Sequence, residues 1–407
     1  MRLIRTSNLE LVNFIANDVP KYAILSHTWG AEEVTLQEFV AQTATYKLGY
    51  QKVQGFCALC VQRAVEWAWI DSVCIDKTNS VELSEAINSM FQWYQRSSLC
   101  IAYLSDVSIC QVGEEPSISN SMWFTRGWTL QELLAPNKVE FYSHGWNRIG
   151  DKVTLQKAIT RITGIDPAYI LAAKNVGLAC VAQRMSWASK RQTTREEDAA
   201  YCLLGLFRVN MPLLYGEGGT RAFVRLQEEI IKTSADHTIF AWFANEEAFP
   251  EGASIFRHCN SGLLAPSPAF FASSHSVRRR IKASALDVRF LAFGSSNPYQ
   301  MTNRGLQIEV PMGQWKCNDD CCAQEPSPCL LGALDCYFKG TSNLSIALHI
   351  RAQKFAMYTD GEMWQISDSD VERVHLDKKS AVSFEHMSSS HLETVFVRRG
   401  IPSQVDE

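Results

Sequence analysis

The sequence has few charges and no long apolar runs, and both shortages limit what the protein can be. Charged residues make up 20% of the 407 residues and the formal net charge is -4, so bulk electrostatic attraction does not hold this chain on nucleic acid. The longest purely apolar runs, such as residues 56–61, have about six residues, far fewer than a bilayer-spanning helix needs. We therefore expect no nucleic-acid partner and no membrane span.

The first residues also lack the continuous apolar segment of a secretory signal, which predicts a cytoplasmic location. In that compartment most of the 13 cysteines are expected to be buried free thiols. Four of them form a cluster whose spacing matches no paired zinc-ligand motif, namely Cys317, Cys321, Cys322 and Cys329. A metal-free exposed loop is the expectation for this cluster, and zinc binding is the alternative.

Short β-type runs alternate with helical patterns over the first part of the chain. The predicted strands are Tyr22–Ser26, Trp69–Asp71, Leu99–Leu104 and Val139–Tyr142. A parallel crossover needs a helix-sized connection, so this alternation predicts a parallel sheet with flanking helices. The strands are almost continuously apolar, which is typical of a sheet covered on both faces.

The character of the sequence changes twice after this α/β segment. Residues 151–237 carry mostly helical patterns, whereas residues 238–407 contain short β-type runs separated by Gly, Pro, Ser and Asn. We therefore predict three segments. These are an α/β domain over 1–150, a helical extension over 151–237 and a β-rich domain over 238–407.

Polar residues follow the first two predicted strands at the point where each strand ends. Ser26 ends the first strand and is followed by His27 and Trp29, and Asp71 ends the second strand and is followed by Asp76. Because ligands bind beyond the carboxyl ends of parallel strands, we expect these five residues and Glu132 to line one cleft. A lone histidine is more often a packed or loop residue than a general base, so a structural role is the alternative for His27. Residues 1–150 offer no paired metal-ligand motif, and we assign no metal there.

One carboxylate, Glu132, lies in a short stretch made largely of tryptophan, leucine and alanine, "RGWTLQELLAP". If residues 128–134 are helical, Trp128 and Glu132 are four positions apart and project from the same face. A structural alternative is that Glu132 pairs with Arg126 or bonds a neighbouring backbone amide.

Four stretches together resemble the fungal heterokaryon incompatibility (HET) domain and the helical extension that commonly follows it. They span residues 22–39, 67–107, 123–143 and 184–234. The HET fold is in turn similar to the Toll/interleukin-1 receptor (TIR) domain, which has a flavodoxin-like, doubly wound sheet. The segments after residue 243 resemble the β-rich tail of HET proteins more weakly.

The resemblance implies a function. HET proteins trigger programmed cell death when incompatible fungal cells fuse, so it implies an effector of heterokaryon (vegetative) incompatibility. "GWTLQEL" is similar to the TIR segment that carries the glutamate for NAD cleavage in enzymatic members, and that glutamate falls on Glu132. An NAD+ glycohydrolase of this kind has NAD as its substrate and no cofactor, with Trp29 or Trp128 offering a flat face to a ring. Many TIR domains are adaptors, so the alternative is a non-enzymatic scaffold that recruits a separate executioner.

The resemblance also bears on partners. Related fungal proteins often continue into a nucleotide-binding NACHT module and partner-sensing repeats, and nothing in this sequence resembles a phosphate loop with lysine. We therefore expect self-association and protein partners, such as an incompatibility protein or an NLR-type sensor.

Overall fold

The computed structural model describes the N-terminal part of the chain nearly continuously and the C-terminal part in separate pieces. The described residues are 1–15, 18–108, 118–242, 263–279, 299–302, 305–315, 329–334, 336–339, 346–351, 353–355, 363–367, 371–375 and 392–398. The α-helices are α1 (Leu36–Ala41), α2 (Leu48–Gln62), α3 (Asp71–Cys74), α4 (Ser80–Arg96), α5 (Thr129–Leu134), α6 (Gln156–Thr163), α7 (Pro167–Leu171), α8 (Val181–Ala188), α9 (Asp198–Tyr201), α10 (Leu204–Phe207) and α11 (Gly219–Thr233). Within these described ranges, no helix is both long and apolar enough to cross a membrane.

The strands divide into an N-terminal and a C-terminal group. The N-terminal strands are β1 (Arg2–Arg5), β2 (Leu11–Asn13), β3 (Tyr22–His27), β4 (Trp67–Trp69), β5 (Leu99–Leu104), β6 (Val139–Ser143) and β7 (Arg148–Asp151). The C-terminal strands are β8 (Val277–Arg279), β9 (Gln300–Thr302), β10 (Gly305–Trp315), β11 (Cys329–Ala333), β12 (Cys336–Phe338), β13 (Ile346–Arg351), β14 (Gln353–Phe355), β15 (Met363–Ser367), β16 (Val371–His375) and β17 (Leu392–Arg398).

The chain forms two compact units. The first comprises Met1–Ala179 and Arg191–Glu217, and the second comprises Cys180–Lys190 and Gly218–Glu407. Helices α6 to α11 fall within the predicted helical extension, and strands β8 to β17 fall within the predicted β-rich segment. The exact division at residues 150 and 237 stays a prediction.

The first unit is built on a seven-stranded sheet of order β2-β1-β4-β3-β5-β6-β7. Its inner strands β4, β3, β5 and β6 are parallel, so the predicted α/β class is confirmed. The outer strands β1, β2 and β7 pair antiparallel and were not predicted. The second predicted strand is shifted toward the N-terminus, because Asp71 begins α3 instead of ending β4.

Helices cover both faces of this sheet through regularly spaced apolar residues. All six residues of β3 are buried, and neighbouring residues on a strand point to opposite faces. Accordingly, Ser26 contacts Glu132 of α5, whereas His27 lies beside Glu33, whose carboxylate pairs with Lys52 of α2. The buried residues of α2 are Gly49, Val53, Phe56, Cys57 and Cys60, and those of α4 are Ala86, Ile87, Met90 and Tyr94.

Residues 191–217 complete the first unit. Gln192 exchanges backbone hydrogen bonds with Thr125 and Gly127, directly before α5. Helix α10 packs against α4 at Gly205, where a Cβ atom would lie 2.1 Å from the Cβ of Phe91. Only glycine permits this close approach of the two helices.

The second unit joins helices to antiparallel strands. Gln227 of α11 exchanges two hydrogen bonds with the backbone of Ala265, at 2.8 and 2.9 Å. The larger sheet has the order β14-β15-β17-β10-β11-β13-β16, with β9 on β10, and among the strand pairs that the structure describes here only β15–β17 is parallel. Cys317, Cys321 and Cys322 of the predicted cysteine cluster lie outside the described residues, and Cys329 begins β11.

Candidate functional site

The candidate site lies at the carboxyl end of β3, where the strand order reverses. The chain runs from β3 to β4 on one side and then returns to β5 on the other side of β3. This arrangement makes the crevice between β3 and β5 the topological switch point, where open α/β sheets bind ligands. The hydroxyls of Thr28 and Ser105 approach to 3.5 Å across this crevice.

Glu132 is buried on one face of β3 in a chain of hydrogen bonds. The Ser26 hydroxyl donates to Oε2 of Glu132. The Nε1–H of Trp123 in turn donates to Ser26 Oγ at 2.8 Å. Glu132 is only 6% exposed, and on the same face the Tyr94 hydroxyl donates to the Leu25 carbonyl at 2.9 Å. These contacts hold the carboxyl group in one place.

Helix α5 is fixed at both ends, which explains how a short helix positions Glu132. Every residue of α5 is buried. Before its first turn, Arg191 Nη1 donates to the Arg126 carbonyl at 2.6 Å and to Thr129 Oγ1 at 2.8 Å. Beyond its last turn, the buried Lys152 donates to the Pro136 carbonyl at 2.5 Å. A buried helix needs such partners for its terminal groups.

Burial controls the protonation of Glu132. It raises the pKa of Glu132 to about 8, and the nearby charge of Asp71 acts in the same direction. The Ser26 hydrogen bond, Tyr94 and Arg191 act in the opposite direction but with smaller effect. At neutral pH the carboxyl group therefore holds its proton. A cation placed beside it favours the ionised form, because an opposite charge within a few ångströms lowers the pKa of an acid.

A second buried group lies on the other face of β3. The Nε2 atom of His27 is 3.7 Å from both Glu33 Oε1 and Asp71 Oδ1. Burial lowers the pKa of His27 to about 4, so the ring is neutral at physiological pH. Glu33 pairs with Lys52 at 2.6 Å and Asp71 pairs with Lys77 at 3.1 Å. The charges of this cluster therefore balance.

Trp29 and Lys77 cover Asp71 from the solvent side. The Trp29 Nε1–H donates to Asp71 Oδ2 at 2.9 Å. The Lys77 Nζ atom bonds the same oxygen and lies 3.3 Å from the centroid of the Trp29 ring. Burial acts to raise the pKa of Asp71, but Lys77 and the Trp29 hydrogen bond hold it below its usual value. Trp29 itself remains 49% exposed.

Two candidate residues belong to other hydrogen-bond groups. Asp76 accepts from the Thr78 hydroxyl at 2.6 Å and from Gln37 at 2.8 Å. Trp128 donates to Asp198 at 3.2 Å, and the indole that contacts the Ser26–Glu132 pair is that of Trp123. The structure therefore brings together Ser26 with Glu132, and His27 with Trp29 and Asp71.

The structural alternative for Glu132 was a pair with Arg126 or a bond to a neighbouring backbone amide, and the structure gives it a different partner. Arg126 donates to the Thr194 hydroxyl at 2.9 Å, and Glu132 is bonded by Ser26. Glu132 thus joins a helix to a strand by a side-chain hydrogen bond.

Several residues of the site were not recognised from the sequence: Glu33, Lys52, Lys77, Tyr94, Trp123 and Arg191. Glu33 and Lys77 lie in the loops that follow β3 and α3, so a search of those loops for charged residues would have found them. Trp123, Tyr94 and Arg191 come from distant elements, and no local pattern marks them. Among the described residues, no group of three or more His, Cys, Asp or Glu side chains is arranged to hold a metal ion.

Comparisons with known proteins add to this picture. Residues 22–116 match the family model described as Heterokaryon incompatibility protein (HET), and residues 221–318 match a Domain of unknown function (DUF8212). The chain is 48% identical over 223 residues to Vegetative incompatibility protein HET-E-1 of Podospora anserina. That match covers 53% of this chain and 16% of the relative. No solved structure matches the chain.

Proposed function

Because the chain contains a heterokaryon incompatibility (HET) domain, we propose that it is an effector of programmed cell death in heterokaryon (vegetative) incompatibility. The similarity to a vegetative incompatibility protein supports this role. The chain spans 16% of that relative's length, so the trigger and the partners of the relative are not carried over with the domain.

The proposed activity is cleavage of NAD+ at the nicotinamide–ribose bond by a TIR-like site centred on Glu132. One observation carries this proposal. Glu132 is a buried carboxyl group at the topological switch point, held by Ser26, with a pKa of about 8. Strongly shifted carboxyl groups in a cleft are typical of functional sites.

The chemistry follows from the charge of the substrate. The nicotinamide ring of NAD+ carries a positive charge, which would favour loss of the Glu132 proton as the substrate enters. When the C–N bond breaks, its electron pair leaves with nicotinamide and positive charge develops on the ribose. A fixed carboxylate in a water-poor site stabilises that charge. Water then adds to the ribose carbon and releases a proton, which gives ADP-ribose.

Access to Glu132 requires a conformational change. Ser26 bonds the Glu132 carboxyl group and Trp123 bonds Ser26, and Glu132 is nearly inaccessible in this structure. A resting cell does not tolerate continuous loss of NAD, so a closed monomer of low activity is expected. Self-association, or binding of an NLR-type sensor, would open the site as a lid does in other enzymes.

A non-enzymatic scaffold is the second candidate, and one observation favours it. The contacts of Glu132 and Tyr94 join α5 and α4 to β3, which is a sufficient structural role for a buried polar pair. In that case the domain would recruit a separate executioner, and the role of Glu132 would be only to stabilise the fold.

Expression of matched variants separates the two candidates. Wild type, Glu132→Gln and the exposed control Glu66→Gln are produced at equal soluble levels, and cellular NAD and survival are measured. The enzyme proposal predicts NAD loss and death with wild type and the control, and neither with Glu132→Gln. If folded Glu132→Gln is equally lethal and NAD stays constant throughout, the scaffold replaces the enzyme.

A further inference from the structure

The buried group on the His27 face has polar atoms that its neighbours leave unused. Both ring nitrogens of His27 and Oε1 of Glu33 have no hydrogen-bond partner among the described residues. The two side chains are only 1% and 8% exposed, and the 3.7 Å separations are too long for hydrogen bonds. Buried polar atoms are normally paired, so this set at the end of β3 indicates a ligand that completes it.

Adjacent hydroxyl groups suit these atoms better than a metal ion does. A neutral imidazole offers one N–H donor and one acceptor nitrogen, and a carboxylate offers acceptors only. A hydroxyl that donates to Glu33 and accepts from His27 satisfies both, and a ribose carries two such hydroxyls side by side. Lys52 and Lys77 already balance the two carboxylates, so a divalent cation would leave excess positive charge here.

The solvent side of the same cluster has the groups that recognise a base and a phosphate. The half-exposed indole of Trp29 offers an aromatic face on which a base can stack. The Lys77 ammonium, which lies on that face, is partly exposed and within reach of an anion. An aromatic face, an ammonium and a diol-binding pair together match a nucleotide.

We propose that His27, Glu33, Asp71, Trp29 and Lys77 form a subsite for the adenosine diphosphate half of a dinucleotide. Ser26 and His27 point to opposite faces of β3. A dinucleotide bound across the switch point therefore places one nucleoside beside Glu132 and the other in this subsite. The assignment of the nicotinamide half to Glu132 rests on the proposed function. On binding, the Lys77 ammonium keeps its bond to Asp71 and turns from the Trp29 ring toward the phosphate, and the freed ring face stacks on the base.

Calorimetric titration of the full chain with ADP-ribose tests this subsite without any cleavage. Wild type is compared with Lys77→Gln, Trp29→Ala and the control Lys138→Gln, an exposed lysine directly before β6 at the other end of the sheet. We expect Lys77→Gln and Trp29→Ala each to weaken ADP-ribose binding by about tenfold or more, the effect of losing one charge-assisted contact or one stacked base. Lys138→Gln should bind as wild type does. Nicotinamide riboside, which lacks the phosphates and adenosine, should bind all four proteins equally.

The outcomes separate this proposal from the one above it. Selective loss of ADP-ribose affinity supports the subsite even if NAD is never cleaved. Absence of ADP-ribose binding to folded wild type overturns the subsite, as does unchanged affinity in both variants, even if NAD is cleaved. A thermal melt of each variant is recorded first, and a variant that does not melt cooperatively is replaced by Lys77→Met or Trp29→Leu.

Discussion

Ser26 and Glu132 are 106 residues apart in the chain and are joined by a buried hydrogen bond. The bond connects the end of the central strand β3 to helix α5. The Nε1–H of Trp123 donates to the same Ser26 hydroxyl. This second bond orients the hydroxyl, so that its hydrogen points to the Glu132 carboxyl group. The most perturbed carboxyl group of the site is thus placed by a residue far from it in sequence.

Ser26→Ala should destabilise the protein and raise the pKa of Glu132 further. The substitution removes the partner of two buried groups, the Trp123 N–H and the Glu132 carboxyl. We expect the free energy of unfolding to fall by about 1–3 kcal/mol, the cost of leaving buried polar groups unpaired. Urea denaturation measures this change, and the exposed Ser80→Ala should stay within roughly 0.5 kcal/mol of wild type. Equal stability of the two variants would show that the bond contributes nothing.

Glu132 should make the protein less stable as pH rises through neutrality. Its pKa is raised from 4.5 to about 8, so above pH 4.5 the folded state holds a proton that the unfolded state has lost. The free energy of unfolding therefore decreases with pH, by roughly 1.4 kcal/mol per unit at most, until the folded group ionises near pH 8. Glu132→Gln removes this term. Denaturation of both proteins between pH 6.5 and 8 should show wild type losing stability relative to the variant, and parallel curves would contradict the raised pKa.

His27 should have the opposite effect in acid. Its pKa is lowered from 6.5 to about 4. As pH falls below 6.5, the histidine of the unfolded state therefore binds a proton, whereas that of the folded state stays neutral. Wild type should therefore lose stability between pH 6.5 and 4 relative to His27→Asn, whose side chain does not titrate. The exposed His144→Asn serves as the control for replacing a histidine outside the site. A His27→Asn curve that coincides with wild type would place the histidine in contact with water.

Gly205→Ala should disturb the packing of α10 on α4. The added Cβ would lie 2.1 Å from the Cβ of Phe91, so the two helices must move apart. We expect a loss of about 1–3 kcal/mol in the free energy of unfolding, typical of an overpacked core. Gly30→Ala is the matched control, because no atom lies within 4 Å of its added Cβ. Thermal or urea denaturation of the two variants measures the difference, and an unaffected Gly205→Ala would show that the contact is loose.

Much of the parallel sheet was predictable because its signal is local. The strands from Tyr22, Leu99 and Val139 are short apolar runs separated by helical patterns, and each begins at the predicted residue. The strand near Trp69 ends earlier than predicted, because Asp71 favours the start of a helix over a buried strand position. The outer strands β1, β2 and β7 contain at most two consecutive apolar residues, so their pairing depends on neighbours that no short stretch reveals.

The candidate site was only partly predictable, and the division has a physical cause. Ser26, His27, Trp29 and Asp71 lie at or just beyond the carboxyl ends of strands in a parallel sheet, and those ends must meet at one edge. Sequence reasoning therefore placed them together. The same reasoning assigned the indole beside Glu132 to Trp128, one helical turn away, whereas the structure has Trp123 bonded to Ser26.

The sequence alone determined the α/β class of the first unit and the edge at which polar residues meet, since these depend on periodicity and chain connectivity. The order of the strands in the sheet came from the structure. Only the tertiary structure decided which side chains touch Glu132 and that Arg191 and Lys152 fix the helix carrying it. It also decided that Ser26 and His27 serve opposite faces of β3. Burial raises the pKa of Glu132 and lowers the pKa of His27. The atoms that bury these two side chains come from distant elements, and such contacts have no signature in a short stretch of sequence.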